Sequence, residues 1–257
     1  MYSIDLNSDL GESYGNYRIG NDDEVLKYIT SANIACGYHA GDHNVMMKTV
    51  KKAKELGVGV GAHPGFPDLS GFGRREIRMS PEEIYNMMIY QIGALLGVAN
   101  SQKVSVQHVK PHGALYNMAS KNKEMAMAIA KAVKDLDKEL VLFALAGSEL
   151  YKAGVEHGLK VAQEVFADRT YQPDGTLTSR LQPNAIIHDL DFAVERVIRM
   201  VKEGKVRAVN GEDIDIQADT ICVHGDEPQA LSFVKTLREK LKQEKIMIKN
   251  FGVSSNV

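Results

Sequence analysis

The sequence predicts an α/β protein in the form of an incomplete (β/α)7 barrel, resembling in architecture the larger (β/α)8 barrels. Strand-like apolar runs alternate with amphipathic helix patterns along nearly the whole chain, about seven such strands can be counted, and polar side chains recur just past the strands' carboxyl ends. An open doubly wound sheet gathers its ligand residues at one switch point, whereas a barrel brings every strand end to one mouth. Asp9, His39, His63, Lys110 with His112, Glu164, and His224 with Asp226 follow different strands, which favours the barrel.

Ile4 and Leu6 alternate with polar residues as in a strand, and Gly11 ends it with Asp5, Asp9 and Glu12 crowded at that end. Asp22-Asp23-Glu24 begins a short helix through Val25, Leu26 and Ile29, acidic where the helix dipole favours negative charge. The second strand, with Ala32, Ile34 and Cys36, breaks into Gly37-Tyr38-His39-Ala40-Gly41-Asp42-His43. Asp42 is placed to cap the helix carrying Val45, Met46, Val50 and Ala53, and Gly57 suits its other end. Val58 to Gly65 reads as a third strand closing on His63, which Pro64 stops from extending.

The stretch from Phe66 to Arg75, with Asp68, Gly71, Gly73 and the pair Arg74-Arg75, is long enough to fold over a site as a lid. Ser80-Pro81-Glu82-Glu83 has the pattern of a capping box, and the helix it starts presents Ile84, Met88, Ile92, Leu95 and Leu96 on one face. Val104 to Lys110 alternates cleanly and runs into Pro111-His112-Gly113 as a fourth strand with a polar end. A helix from Asn122 to Asp137 precedes Leu140 to Gly147, a continuous apolar run of the kind shown by a parallel strand covered on both faces. Ser148 caps a helix to His157-Gly158, and Lys160 to Arg169 is the sixth strand. Turn chemistry at Pro173-Asp174-Gly175 and Gln182-Pro183-Asn184 marks residues 170–187 as an insertion on the rim. A helix from Asp189 to Glu203, a small hairpin from Val206 to Gln217, a seventh strand from Thr220 to Asp226 and a last helix from about Glu227-Pro228 complete the pattern.

At 257 residues and 28.3 kDa the chain exceeds an average domain of ~100–200 residues but suits one barrel domain over 1–257. Its 44% hydrophobic and 25% charged content, with a mean hydropathy of −0.23, provides a sizeable core and argues against disorder. A net charge of −2 gives no electrostatic reason to expect nucleic acid or an anionic membrane as partner, so a small-molecule substrate is expected. Cys36 and Cys222 both fall in strands and suggest no disulfide framework, and no apolar run approaches the ~20 residues of a membrane span. Asp5 and Asp9 lie where a signal peptide needs an apolar core, so a soluble cytoplasmic protein is the expectation.

A mouth with Asp, several His and Lys can activate water by general base catalysis or hold a divalent metal that does so, with Asp9, His39 and His63 as the candidate ligand set. Their spacing forms no local metal motif, and both chemistries stay open. His108, His157 and His188 read as surface or hydrogen-bonded histidines. Neither a Gly-x-x-x-x-Gly-Lys-Ser/Thr phosphate loop nor a Gly-x-Ser-x-Gly elbow occurs, which disfavours a self-contained P-loop ATPase and a serine nucleophile.

Taken together, Asp5-Leu6-Asn7-Ser8-Asp9-Leu10-Gly11-Glu12, Asn33 to Asp42, Gly61-Ala62-His63-Pro64-Gly65, Gly71-Phe72-Gly73-Arg74-Arg75, Val109 to Tyr116 and Val223-His224-Gly225-Asp226 closely resemble the lactam-utilisation LamB/YcsF family. These are the A-type components of bacterial and archaeal 5-oxoprolinases. The resemblance implies a barrel related to the glycoside hydrolase/deacetylase superfamily. It also implies two partner subunits, of B and C type, with which the chain converts 5-oxo-L-proline, ATP and water into glutamate, ADP and phosphate, ATP being used through the complex. A five-membered lactam recloses with a large effective molarity, so opening it needs an external driving force. Asp9, His39, His63, His112 and His224 are the catalytic candidates. Arg74, Arg75, Lys110, Arg169 and Arg180, with Glu12 and Glu164, are candidates for binding the substrate or its carboxylate or phosphate. The competing readings are a stand-alone metal-dependent deacetylase or amidohydrolase, and a non-catalytic small-molecule binding protein.

Overall fold

The computed structural model describes residues 2–223 and 230–252. Its strands are β1 Ser3–Leu10, β2 Ser31–Ala35, β3 Gly59–His63, β4 Val106–Val109, β5 Val141–Leu145, β6 Val161–Phe166, the hairpin strands β7 Lys205–Arg207 and β8 Asp213–Asp215, then β9 Thr220–Cys222 and β10 Met247–Ile248. β1 to β6 pair in sequence order, all parallel, and β9 pairs with both β6 and β1, so a seven-stranded barrel closes without an eighth strand. β10 adds in parallel to the outer end of β1, with Ser3 opposite Met247.

The helices are α1 Asp22–Val25, α2 His43–Leu56, α3 Pro81–Ser101, α4 Gly113–Ala119, α5 Lys123–Leu136, α6 Glu149–Glu156, α7 Leu190–Glu203 and α8 Ala230–Gln243. Their ends follow from local chemistry. Asp42 accepts hydrogen bonds from the Asn44 and Val45 amides, Ser80 and Glu83 close a full capping box, and Gly57 ends α2 in the left-handed region at φ 67°. Two elements escape the sequence pattern. α4 has one buried face of Ala114, Leu115, Tyr116 and Ala119 and is too short to show a helical period, and β10 is a two-residue strand.

Alternation along the strands divides the core in two. Ile4, Leu6, Ile34, Val60, Val109, Leu142, Val165 and Ile221 point outward and join the helices in one large apolar core, each fully buried side chain contributing about 1.5–3 kcal/mol. The inward positions are mostly polar on β1, β2, β4 and β9. On β5 and β6 the apolar Val141, Phe143 and Ala162 form a separate small cluster with Phe251 packed on it. The insertion after β6 makes only short antiparallel bridges, Arg169 with Ile186 and Tyr171 with Leu177, and the hairpin β7–β8 stands outside the barrel, as the turn residues indicated. Arg196 on α7 ties the insertion down by donating to the Ala167 and Arg169 carbonyls. Among the described residues, no helix is long and apolar enough to cross a membrane.

Candidate active site

A hydrogen-bonded stack fills the barrel from its base to its mouth. Thr220 donates to Asp5 Oδ2 at 2.5 Å and accepts from Asn7 Nδ2 at 2.8 Å. The Asn33 amide donates to both Asn7 Oδ1 and Asp9 Oδ1 at 2.8 Å, and His108 Nε2 lies 2.7 Å from Asn33 Oδ1. An amide oxygen only accepts, so His108 carries its hydrogen on Nε2. Burial, then Lys110 and His63, holds the His108 ring neutral, with its pKa down at about 3.

Above this stack the Lys110 ammonium lies 2.9 Å from Asp9 Oδ1, 3.2 Å from Asn7 Oδ1, 3.0 Å from Cys222 Sγ, and in a 2.8 Å ion pair with Glu164 Oε1. Tyr116 donates to the other Glu164 oxygen at 2.6 Å. Burial alone pulls a lysine toward neutrality, but Asp9, Cys222 and Glu164 more than offset it and hold this ammonium well above its usual range. Lys110 is a fixed buried cation.

The imidazoles form the second half of the site. His63 Nδ1 lies 2.7 Å from the Lys110 carbonyl and His112 Nε2 lies 2.8 Å from the Phe72 carbonyl, and each must donate there. In the neutral rings that leaves lone pairs on His63 Nε2 and His112 Nδ1, which face each other at 2.9 Å. Asp9 Oδ2 is 3.3 Å from the first and Glu12 Oε1 is 3.6 Å from the second. Burial, then the neighbouring histidines, holds both His39 and His112 well below the usual histidine range, so protonation of these rings does not relieve the crowding. One ligand atom each from Glu12, His39, His63 and His112 fits within 4.8 Å. Electron-rich atoms converging in this way suit a divalent cation.

These groups open onto a cavity of about 900 Å³, with Asp9, Glu12, His63, Lys110 and His112 on its floor and Arg74, Arg75, Arg169 and Arg180 on its wall. The lid stretch after β3 reaches the site through Phe72, which meets the His112 ring edge-on at 5.3 Å. Arg75 is ion-paired to Asp68 and donates to Ser70. Arg169 donates to the Thr178 and Ala185 carbonyls, and burial, followed by Arg180, lowers its pKa to about 10.

The LamB/YcsF family profile matches residues 4–255. The chain belongs to the LamB/YcsF family. It is 61% identical over 248 residues, 96% of each chain, to the A-type component of the 5-oxoprolinase of Halalkalibacterium halodurans. The lactam utilization protein of Thermus thermophilus superposes with a TM-score of 0.91 at 44% identity, covering 97% of this chain and all of that one. A family 4 carbohydrate esterase from Streptomyces lividans shares the fold alone, with a TM-score of 0.51 at 12% identity over 96% of this chain and 91% of the esterase.

Most of the site residues singled out in the sequence meet here: Asp9, Glu12, His39, His63, Lys110, His112 and Glu164 form a single network. His39 and Glu164 are fully buried and not on the cavity wall, His39 standing behind His112. His224 and Asp226 lie outside the described residues. Sequence reasoning gave no role to Asn7, Asn33 and Tyr116, and His108, read as a surface or hydrogen-bonded histidine, is the hydrogen-bonded kind, buried inside the barrel. The inward phase of β1, in which Asp5, Asn7 and Asp9 fall two apart, was the available signal for Asn7; Tyr116 gave none, because it sits on the unforeseen α4.

Proposed function

We propose that this chain is the lactam-hydrolysing component of a cytoplasmic, ATP-dependent 5-oxoprolinase that opens 5-oxo-L-proline to L-glutamate together with B- and C-type subunits. The observation that carries the reading is the 61% identity over nearly the full length of a protein of that name, with the polar mouth assembled as one site. The partners phosphorylate the lactam oxygen, and this barrel directs water at the activated ring carbon. The Lys110 ammonium lies where it can face negative charge developing on the ring, preorganised by Asp9, Asn7 and Glu164. Arg74, Arg169 and Arg180 give the wall the charge needed for the substrate carboxylate and the phosphoryl group.

The donor set fits a divalent cation, which Glu12, His39, His63 and His112 would hold, with Asp9 3.3 Å from His63 beside them. Asp9 and Glu164 share the buried Lys110 ammonium, and Glu12 lies against the His39 and His112 rings, so carboxylate and imidazole donors face one another where such an ion would sit. When bound, the ion supplies Lewis-acid charge to the reacting centre. Glu12 and His112 join the His39 and His63 that the sequence offered.

The test is partner dependence. The pure chain with divalent metal is expected to release no glutamate from 5-oxoproline and no acetate from acetylated sugars or amino acids. Adding ATP and the partner subunits is expected to start glutamate release. Partner-free deacetylation would sink the assignment in favour of a stand-alone deacetylase, and binding of 5-oxoproline without turnover in the full mixture would favour a binding protein.

A further inference from the structure

We infer that Arg169 sets the specificity of this site: its guanidinium takes the carboxylate on the carbon next to the lactam nitrogen, so that the barrel selects lactams carrying that charge over neutral ones. The inference rests on the 5-oxoprolinase reading above and assigns one residue within it. Arg169 stands three residues past the end of β6 and lines the cavity, yet it is only 4% exposed. A guanidinium taken out of water is costly unless an anion meets it. Among the described residues its hydrogen-bond acceptors are two backbone carbonyls, and no carboxylate forms an ion pair with it. Arg180 and Arg74 lie close enough to act on it as like charges, with Asp168 and Tyr171 acting the other way. A concave wall where guanidiniums crowd in this way draws an anion.

The rim insertion fixes the direction of the side chain. Nε donates to the Ala185 carbonyl at 3.3 Å and Nη2 to the Thr178 carbonyl at 2.6 Å. Both acceptors are themselves held. The Ala185 carbonyl also accepts from the Thr170 amide at 3.1 Å, the Thr178 amide donates to the Thr170 carbonyl at 3.0 Å, and Thr178 Oγ1 accepts from Gln172 Nε2 at 2.9 Å. Arg196 Nη2 donates to the Arg169 carbonyl at 3.1 Å and secures the backbone. A guanidinium carries five N–H donors in one plane. The carbonyls occupy its Nε–Nη2 edge, while Nη1 has no acceptor among the described residues, so the Nη1–Nη2 edge is the one left for a ligand in the cavity. Two parallel donors on that edge match the two oxygens of a carboxylate.

A rigid, buried donor suits the charged group that persists through the reaction. The carboxylate is present in 5-oxoproline, in the activated ring and in glutamate, whereas the phosphoryl group arrives and leaves. Arg74, exposed with its guanidinium 4.9 Å from the centre of the Phe72 ring, and the half-buried Arg180 have the freedom that a transient group requires. An interaction made equally with substrate and transition state lowers KM and leaves kcat alone.

The experiment measures binding of 5-oxo-L-proline and of 5-oxo-L-prolinamide, the same ring with a neutral amide in place of the carboxylate, to the chain by calorimetry. Wild type is expected to bind the carboxylate at least tenfold tighter than the amide. Arg169→Met is expected to weaken 5-oxo-L-proline about 10- to 100-fold and to leave the amide within about twofold, which erases the preference. Arg169→Lys keeps the charge but not the flat fork, so it is expected to lose part of the preference, and it carries the same comparison if the methionine variant does not fold. In the reconstituted complex with ATP, KM for 5-oxo-L-proline should rise with kcat nearly constant. Equal affinity of wild type for the two ligands overturns the inference, as does a wild-type preference retained in both variants. Equal loss of both ligands makes Arg169 only a prop of the insertion, and a fall in kcat at unchanged KM places it on the phosphoryl group; either result overturns it. If the wild-type complex makes no glutamate, the hydrolytic reading fails separately, and the binding comparison still decides the role of Arg169.

Discussion

Gly61 lies inside the barrel opposite His108, and the two test whether the buried polar stack is packed as a unit. A Cβ at Gly61 would stand 2.1, 2.2 and 2.4 Å from His108 Nε2, Cδ2 and Cε1. Ordinary contact needs about 3.5 Å, so Gly61→Ala must push the ring by more than about 1 Å. The ring has nowhere to go on its far side, where it stacks on Phe143 with centroids 4.2 Å apart and planes 13° apart. Displacement breaks the 2.7 Å contact to Asn33, which in turn orients Asp9. Overpacking costs about 1–3 kcal/mol and the lost buried hydrogen bond about 1–3 more, so Gly61→Ala is expected to destabilise by roughly 2–6 kcal/mol. His108→Ala empties the space the new methyl needs. In a urea-denaturation cycle of wild type, Gly61→Ala, His108→Ala and the double variant, the methyl should cost less than about 1 kcal/mol once His108 is gone, a coupling of about 1 kcal/mol or more. Additive costs, with Gly61→Ala equally harmful in both backgrounds, would refute the packing argument.

Acid should find the same histidine. His108 is held neutral in the folded protein, with a pKa near 3 against an ordinary 6.5, so the unfolded chain takes up its proton first as pH falls. Its contribution is complete above pH 6.5 and is lost on the way to pH 3. Between pH 6.5 and about 5 the loss is about 2 kcal/mol, and His108→Gln should flatten that part of the urea-stability profile. Lys110→Met leaves Asp9 and Glu164 facing each other across a buried site without their cation, at an expected cost of about 3–5 kcal/mol at neutral pH. That cost should shrink toward pH 5 as a carboxylate takes up a proton; equal stability to wild type at pH 7 would show that the ion pair is solvated.

Much of the fold was legible because its signals are local. Asp42, Ser80 with Glu83, and Ser148 act on amides within four residues of themselves, and they mark helix starts in the sequence as clearly as in the structure. The apolar alternation of β1 and the unbroken run of β5 follow from whether one or both faces are covered. α4 and β10 were missed because a seven-residue helix and a two-residue strand are held in place by what they pack against, not by their own periodicity.

By itself the sequence determined the class of fold, the order of its longer strands and helices, and the candidate polar residues at the strand ends, since each depends on residue type and on spacing of two or about 3.6. Which of those residues touch was decided only by closure of the barrel. Pairing of β9 with both β6 and β1 brings Cys222 and Glu164 to Lys110 and Asp9, contacts that join residues up to 112 positions apart. The donor directions of His63 and His112 were likewise invisible in the sequence, because the carbonyls that fix them belong to Lys110 and to Phe72 on neighbouring segments. A histidine's type is written in the chain. Whether it faces the cavity, as His63 does, or stands behind it, as His39 does, depends on what the fold lays against each side of the ring.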